Sequence, residues 1–295
     1  MVTRALLACV LTGCAAAEGN VLIARKARDA DTAADGDISD ASVVDTRGVC
    51  RIGGSKDGFY ENFGGTALDP QRWLVADGPV TFAGSSARGE FMRENVQVNG
   101  GSLQLSVRGD RYEGELRKRS AAAIATRDLF ASGTYQIQGV LAAPDAVEVA
   151  IWFVSDDDSQ GAIDLTTPGL DGSERSYSRV HMRTRDASST SDNQFALAQS
   201  LADGASHILR FDWYTTATPS ATFWVDDELR WKSPRALPPA AAGRLWIVAW
   251  LPDDAVADFD TATVGIESAF VTPFGNNGDI CVDGALTGPS LSLPE

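Results

Sequence analysis

The feature that most constrains the fold is a series of short segments in which apolar residues occupy every second position. The clearest of these segments are 103–107, 135–141, 147–153, 209–213 and 223–225. Successive side chains of a β-strand point to opposite faces of a sheet, so a period of two predicts strands with one buried face. Clusters of Gly, Asp, Pro and Ser separate the segments, and no long helical period is present. We therefore predict an all-β sandwich.

All of these segments lie within residues 50–281, which we assign to one domain. A β-rich region of about 220 residues is long for a sandwich but ordinary for a single large jelly roll. A region of that size buries a substantial core. Residues 282–295 are predicted to be a flexible C-terminal tail.

The start of the chain indicates export. Met1–Arg4 is short and positive, and Ala5–Leu11 is an apolar run that is too short to span a bilayer. Leu11–Cys14 resembles the lipobox of bacterial lipoproteins, whose cysteine is lipidated and becomes the mature N-terminus. Residues 1–13 are then a lipoprotein signal peptide, and Ala15 after the cysteine implies the outer membrane, on its periplasmic or cell-surface face. The alternative is a cytosolic chain whose start is apolar by chance.

Residues 14–49, in which Ala, Asp, Ser, Thr and Gly dominate, are predicted to form an acidic disordered tether that begins at the lipidated Cys14.

The number and positions of the cysteines agree with export. Cys9 leaves with the signal peptide, so Cys50 and Cys281 remain on either side of the domain. In an oxidising compartment we expect these two cysteines to form a disulfide.

The charge and the histidine content exclude several functions. The formal net charge is −15 and the basic residues are scattered, which argues against binding to a phosphate backbone. No Cys-x-x-Cys pair exists, and His181 and His207 are the two histidines of the chain, so neither redox chemistry nor a zinc site is predicted. We predict no cofactor and no metal.

The segment most informative about function is Gly161–Gly169, which has the sequence GAIDLTTPG. In a strand, positions 162, 164 and 166 share one face. The segment resembles the catalytic strand of glycoside hydrolase family 16, the laminarinase and lichenase group, which carries Glu-x-Asp-x-Glu or Glu-x-Asp-x-x-Glu. The resemblance places the family nucleophile at Ala162 and the acid/base at Thr166 or Thr167. Asp164 alone keeps the family's residue.

Other segments resemble the family in the same order along the chain. They are 63–73, 94–105, 123–138, 207–213 and 222–229. The resemblance implies a concanavalin A-like jelly-roll β-sandwich. Family members often bind a structural Ca²⁺ through an Asp in the final strand, but the matching position here is Gly265, which has no side-chain ligand.

The missing glutamates predict that hydrolysis is lost or crippled, because a retaining glycosidase needs two carboxyl groups about 5–5.5 Å apart. A relocated carboxylate is the alternative. If residues 147–154 pair antiparallel with 161–167, one register places Glu148 on the face of Asp164 and near Thr166. A slip by one residue puts Glu148 on the opposite face.

Aromatic residues are candidates for sugar binding, because pyranose rings stack on flat apolar side chains. Trp152, which shares a face with Glu148, and Trp250 are the predicted platforms, with burial as the alternative for each. Trp213 and Trp224 are predicted to pack in the core. His181 alternates with two arginines and matches a histidine often found in the family's cleft, although an ordinary surface histidine is the alternative.

Together these observations predict an exported, lipid-anchored domain that acts on or binds a β-glucan-type polysaccharide, with hydrolysis lost or crippled. One alternative is an active retaining endo-β-glucanase that uses a relocated carboxylate. A further alternative is a cell-surface structural or interaction module, since a fold alone does not fix a function.

Overall fold

The computed structural model describes residues 58–79, 89–156, 161–171, 174–215, 219–238 and 242–274. The predicted signal peptide, the tether, the tail, Cys14, Cys50 and Cys281 lie outside these ranges, so the lipid anchor and the disulfide stay predictions. Within the described ranges, no helix is long and apolar enough to cross a membrane.

The described residues form antiparallel β-strands and a 3-10 turn at Arg93–Asn95. All five alternating segments of the sequence form strands, apart from Leu141 and Val147, which each lie one residue outside a strand. In β6, for example, each apolar residue is buried and each polar residue is partly exposed. The strands are β1 Phe59–Glu61, β2 Trp73–Val75, β3 Gly78–Pro79, β4 Glu90–Phe91, β5 Val96–Asn99, β6 Ser102–Arg108, β7 Ala122–Thr126, β8 Gly133–Val140, β9 Glu148–Ser155, β10 Ala162–Thr167, β11 Gly169–Asp171, β12 Glu174–Ser176, β13 Arg179–Arg185, β14 Thr190–Ala196, β15 His207–Tyr214, β16 Ser220–Val225, β17 Glu228–Ser233, β18 Gly243–Trp250 and β19 Thr261–Pro273.

Two large sheets pack face to face. The eight-stranded sheet has the order β17-β16-β15-β8-β19-β6-β5, with β1 paired to β19. The seven-stranded sheet has the order β14-β13-β10-β9-β18-β7-β2. Strands that are neighbours in a sheet are often distant in sequence, as in a jelly roll. The prediction of an all-β sandwich is confirmed.

The core lies between the two sheets and is rich in aromatic residues. Phe153 of the seven-stranded sheet packs on Trp213 of the eight-stranded sheet with ring centroids 4.7 Å apart, and Tyr135 stacks on Phe211 at 4.9 Å. Burying one such side chain contributes about 1.5–3 kcal/mol from the hydrophobic effect. The face of the seven-stranded sheet that points away from this core is called the cleft face below.

Trp213 is fully buried, as predicted, but the prediction that Trp224 packs in the core is wrong. Phe223 and Val225 point inward, so Trp224 between them points to the outer face of its sheet. There the Arg210 guanidinium lies over the indole, 5.2 Å from the ring centroid.

Candidate functional site

Three adjacent strands place the residues of the candidate site. β10 lies between β9 and β13, and Asp164 is directly opposite Trp152 on one side and Arg183 on the other. Ile163 and Leu165 belong to the core, so Ala162, Asp164 and Thr166 point to the cleft face. The sequence prediction that these three residues share a face is therefore met by the structure.

Asp164 is a buried carboxylate with one strong partner. It is 3% exposed, and the Arg183 Nε donates to its Oδ2 over 2.7 Å. The Oδ1 atom is buried and has no hydrogen-bond partner among the described residues. The negative charge of Asp164 raises the pKa of Arg183, against the opposing effect of burial. Asp164 is thus held as an ion pair toward β13.

The two candidate acid/base positions differ in orientation. β10 pairs with β9 without any shift of register from Ala162 to Thr167, so the strand contains no bulge. Thr166 therefore faces the cleft, whereas Thr167 points to the core side, fully buried, with its Oγ1 3.4 Å from the Arg179 carbonyl oxygen. Thr166 alone has the geometry of a cleft-facing position.

Glu148 lies on the cleft face as well. The register pairs Thr166 with Ala150, so Glu148 is a diagonal neighbour of Thr166. The Arg175 Nε donates to the Glu148 Oε1 over 3.0 Å, and another nitrogen of Arg175 lies 2.7 Å from Asp254. Burial raises the pKa of Glu148, while the ion pair with Arg175 opposes that rise.

Separate arginines thus hold the two carboxylates. Asp164 is drawn toward β13 by Arg183, and Glu148 is drawn toward β12 by Arg175. Sequence reasoning missed Arg175, because its strand β12 belongs to the separate short hairpin that it forms with β11, and no periodicity links it to Glu148.

Trp152 and Trp250 are not open platforms. They are 5% and 6% exposed, and their rings meet edge to face with centroids 5.2 Å apart. Both belong to a packed cluster on the cleft face, which we call the cover cluster. Its buried members are Ala76, Phe91, Ala121, Ala123, Ala150, Trp152, Val248 and Trp250.

The cover cluster closes the part of the cleft face formed by β9, β18 and β7. Phe91 is 1% exposed. Its segment is fastened to the chain beside β7, because the Ala121 amide donates to the Glu90 carbonyl and the Met92 amide donates to the Ala121 carbonyl. Sequence reasoning gave no sign of this cover, which depends on a long-range contact between short segments.

The rest of the cleft face is open and charged. Arg179, His181, Arg183 and Arg185 alternate along β13 on the side of Asp164, and all four are partly exposed. The His181 Nε2 lies 3.5 Å from an Asp192 carboxylate oxygen, and the His181 side chain is 27% exposed. The predicted alternation of His181 with arginines is present, and Arg185 extends it.

The described residues contain no group of three or more His, Cys, Asp or Glu side chains that could hold a metal ion. Gly265, the position matched to the family's calcium ligand, lies in β19 opposite Gln104 of β6. The prediction that the chain binds no calcium at this position stays a prediction.

No protein-family model matches the sequence, and no curated protein matches it. The structure, however, is similar to solved β-glucanases. A lichenase from a mouse hindgut metagenome has a TM-score of 0.62 at 20% identity over 73% of this chain and 99% of that chain. Bacillus licheniformis β-glucanase has a TM-score of 0.61 at 18% identity over 73% and 97%.

LamA from Zobellia galactanivorans, solved in complex with laminaritriose and laminaritetraose, has a TM-score of 0.58 at 16% identity over 72% of this chain and 97% of that chain. Similarity at these identities shows the fold. The chain has the jelly-roll β-sandwich of the family 16 laminarinases and lichenases, and the predicted fold class is confirmed.

Proposed function

We propose that this chain is an exported, lipid-anchored domain that binds a β-glucan-type polysaccharide on its cleft face and has lost hydrolysis. The observation that carries the proposal is the composition of β10. Its cleft-facing positions are Ala162, Asp164 and Thr166, so the strand offers one carboxylate where the resemblance implies three.

The state of the remaining carboxylate supports the loss of hydrolysis. Retaining chemistry requires one carboxylate to attack the anomeric carbon and another carboxyl group, about 5–5.5 Å away, to protonate the leaving oxygen. Asp164 is almost fully buried and ion-paired with Arg183, which leaves it poorly placed for attack. Ala162 and Thr166 have no acid group to share the task.

The test restores the two missing carboxyl groups. The double variant Ala162→Glu/Thr166→Glu should release reducing ends from lichenan or laminarin above a buffer blank, whereas the unsubstituted protein should release none. The matched control is Ala162→Glu/Thr167→Glu, which has the same composition but points its second glutamate to the core side.

Circular dichroism and thermal melting establish that both double variants are folded. If the folded Ala162→Glu/Thr166→Glu variant has no activity and the unsubstituted protein binds no β-glucan in affinity gels, the proposal is wrong. That result would favour a structural or interaction module.

One observation favours a second candidate function, an active hydrolase with a relocated carboxylate. Glu148 lies on the cleft face beside Thr166, and burial raises its pKa, as expected of a general acid. Turnover by the unsubstituted protein that disappears in Glu148→Gln would establish this candidate. Arg175 opposes it, because its ion pair with Glu148 favours the ionised carboxylate, which has no proton to donate to the leaving group.

The lipid anchor has its own test. If Leu11–Cys14 is a lipobox, the full-length protein should partition into detergent with the membrane fraction. The variant Cys14→Ser should be released or should retain its signal peptide. Soluble behaviour of the unsubstituted protein would remove the anchor from the proposal.

A further inference from the structure

The face of the eight-stranded sheet that points away from the core carries a row of aligned side chains. Strand pairing places five residues side by side across β1, β19, β8, β15 and β16. At least one sequence neighbour of each residue belongs to the core, so the five side chains point outward. Neighbouring strands lie about 4.8 Å apart, so the row spans roughly 19 Å. We call it the outer row, and its members are Tyr60, Phe270, Gln136, Arg210 and Trp224.

Hydrogen bonds and an ion pair hold one end of the outer row in place. Asp212 is 1% exposed, and two nitrogens of Arg210 donate to its two carboxylate oxygens over 2.8 Å each. The Thr134 hydroxyl donates to the same carboxylate over 2.8 Å. The Trp224 Nε1 donates to the Thr222 Oγ1 over 3.3 Å, and the Arg210 guanidinium lies over the same indole. Side chains that are fixed in this way lose little conformational freedom when a ligand binds.

Both ends of the outer row are accessible. Tyr60 is 43% exposed at one end. At the other end Trp224 is partly exposed, and Leu229, which lies opposite it in β17, is 52% exposed. The Gln136 amide and the Arg210 guanidinium lie between the two ends. The outer row thus combines flat aromatic rings, on which pyranose rings stack, with polar groups that bind hydroxyls.

The charge of the outer row fits an uncharged ligand. Arg210 is the one charged member of the row, and the buried Asp212 neutralises it. Thr134, Gln136 and Gln138 of β8, which point to the same side, are uncharged. An anionic membrane surface attracts clusters of basic residues, and the outer row contains no such cluster. A neutral polysaccharide needs none.

The exposed area of the outer row is small for a protein partner. Phe270 and Gln136 in the middle of the row are 7% and 8% exposed. A stable protein interface buries about 800 Å² on each partner, which one row of largely covered side chains does not supply. A single polysaccharide chain needs only a narrow strip of stacking and hydrogen-bonding groups.

We infer that the outer row is a second binding site, which takes an uncharged β-glucan-type chain on the side of the sandwich opposite the cleft face. The inference goes beyond the proposed function, which concerns the cleft face alone, and takes its ligand class from it. Two sites on opposite faces let one protein molecule bridge two polysaccharide chains. Bridging strengthens the overall binding to long polysaccharides without any new contact.

The experiment counts the binding sites and detects bridging. Titration calorimetry of the full-length protein with laminarin oligosaccharides should give two sites per chain. Mixing the protein with long-chain laminarin should raise the turbidity, because the polysaccharide chains become cross-linked. Trp224→Ala and Tyr60→Ala should each reduce the number of sites to one and lower the turbidity at least fivefold. Trp224→Phe keeps an aromatic ring and should retain both sites.

The matched control is Tyr112→Ala. Tyr112 is also partly exposed and also lies beside an arginine, since the Arg108 guanidinium is 4.4 Å from its ring centroid. It belongs to the segment between β6 and β7, outside the outer row, so Tyr112→Ala should retain both sites. Circular dichroism and thermal melting establish which variants are folded. Tyr60 is well exposed, so Tyr60→Ala tests the inference even if Trp224→Ala does not fold.

The outcomes separate the inference from the proposed function. One site per chain that Trp224→Ala and Tyr60→Ala leave unchanged overturns the outer row and leaves the proposed function standing. One site that both variants abolish supports the outer row and overturns binding on the cleft face. No binding of laminarin overturns both.

Two further results would overturn the outer row as a glucan site. The first is the same loss of binding in Tyr112→Ala as in Trp224→Ala. The second is a protein dimer, measured by sedimentation without glucan, that Trp224→Ala abolishes while laminarin binding is unchanged. That dimer would make the outer row an interface between two copies of the chain.

Discussion

The ion pair between Asp164 and Arg183 should be essential to folding stability, and the variant Arg183→Met tests this. Methionine keeps the apolar part of the side chain but removes the guanidinium that lies 2.7 Å from Asp164. The Asp164 side chain is 4% exposed, so its charge is left in the protein interior without a partner.

Removing one partner of a buried ion pair costs about 3–5 kcal/mol. The Arg183 side chain is 30% exposed, and water that reaches the site reduces the penalty. We therefore expect a loss near the lower limit, about 3 kcal/mol in the free energy of unfolding. In a domain of this size the melting temperature should fall by roughly 6–12 °C.

Urea unfolding monitored by Trp fluorescence measures the loss. The matched control is the double variant Asp164→Asn/Arg183→Met, which removes the buried charge together with its partner. The double variant should be more stable than Arg183→Met by about 1–2 kcal/mol, because a neutral amide is easier to bury than a carboxylate. A loss below about 1 kcal/mol in Arg183→Met, or no recovery in the double variant, would refute the argument.

Three further predictions concern stability. Burial lowers the pKa of His207, but its 2.9 Å contacts with Asp226 and Asp203 outweigh burial and raise it overall. The protonated His207 therefore stabilises the folded state fully below its unfolded pKa of about 6.5, and this stabilisation is lost as the pH rises through the folded pKa. In His207→Gln, the free energy of unfolding measured from pH 6 to 9 should depend less on pH than in the unsubstituted protein. Trp213→Ala should cost about 3–5 kcal/mol in the same urea assay, because it leaves a cavity between the sheets. Gly101 has a φ of +79° in the hairpin turn between β5 and β6, a conformation that strains an alanine. Gly101→Ala should therefore lower the free energy of unfolding by about 1 kcal/mol, measured by thermal melting, and an unchanged melting temperature would contradict this.

Much of the fold was predictable from the sequence, because alternation in a strand directly reports which side chains are buried. The period of two in 103–107 and 209–213 gave both strands and their inward faces. The same rule applied to Phe223 and Val225 places Trp224 outside the core. The contrary prediction failed because it followed the general tendency of Trp to be buried.

The candidate site was predictable only in part. The shared face of Ala162, Asp164 and Thr166 follows from the period of two along one strand. The choice between Thr166 and Thr167 depends on whether β10 contains a bulge, which short-range pattern does not determine.

The partners of the site residues were not predictable. Arg175 reaches Glu148 from another strand, and Phe91 covers the tryptophans from a segment about 60 residues before Trp152. Such contacts are set by the three-dimensional arrangement of the strands, and one sequence does not specify which distant residues meet.

The central claim is that the cleft face binds a glucan without cleaving it, and one measurement tests this directly. The full-length protein is incubated with laminarin oligosaccharides at concentrations at which calorimetry reports saturation, and the oligosaccharides are then sized by mass spectrometry. The account predicts bound oligosaccharides that keep their original length. Shortened products that are absent when Glu148→Gln is used would contradict it.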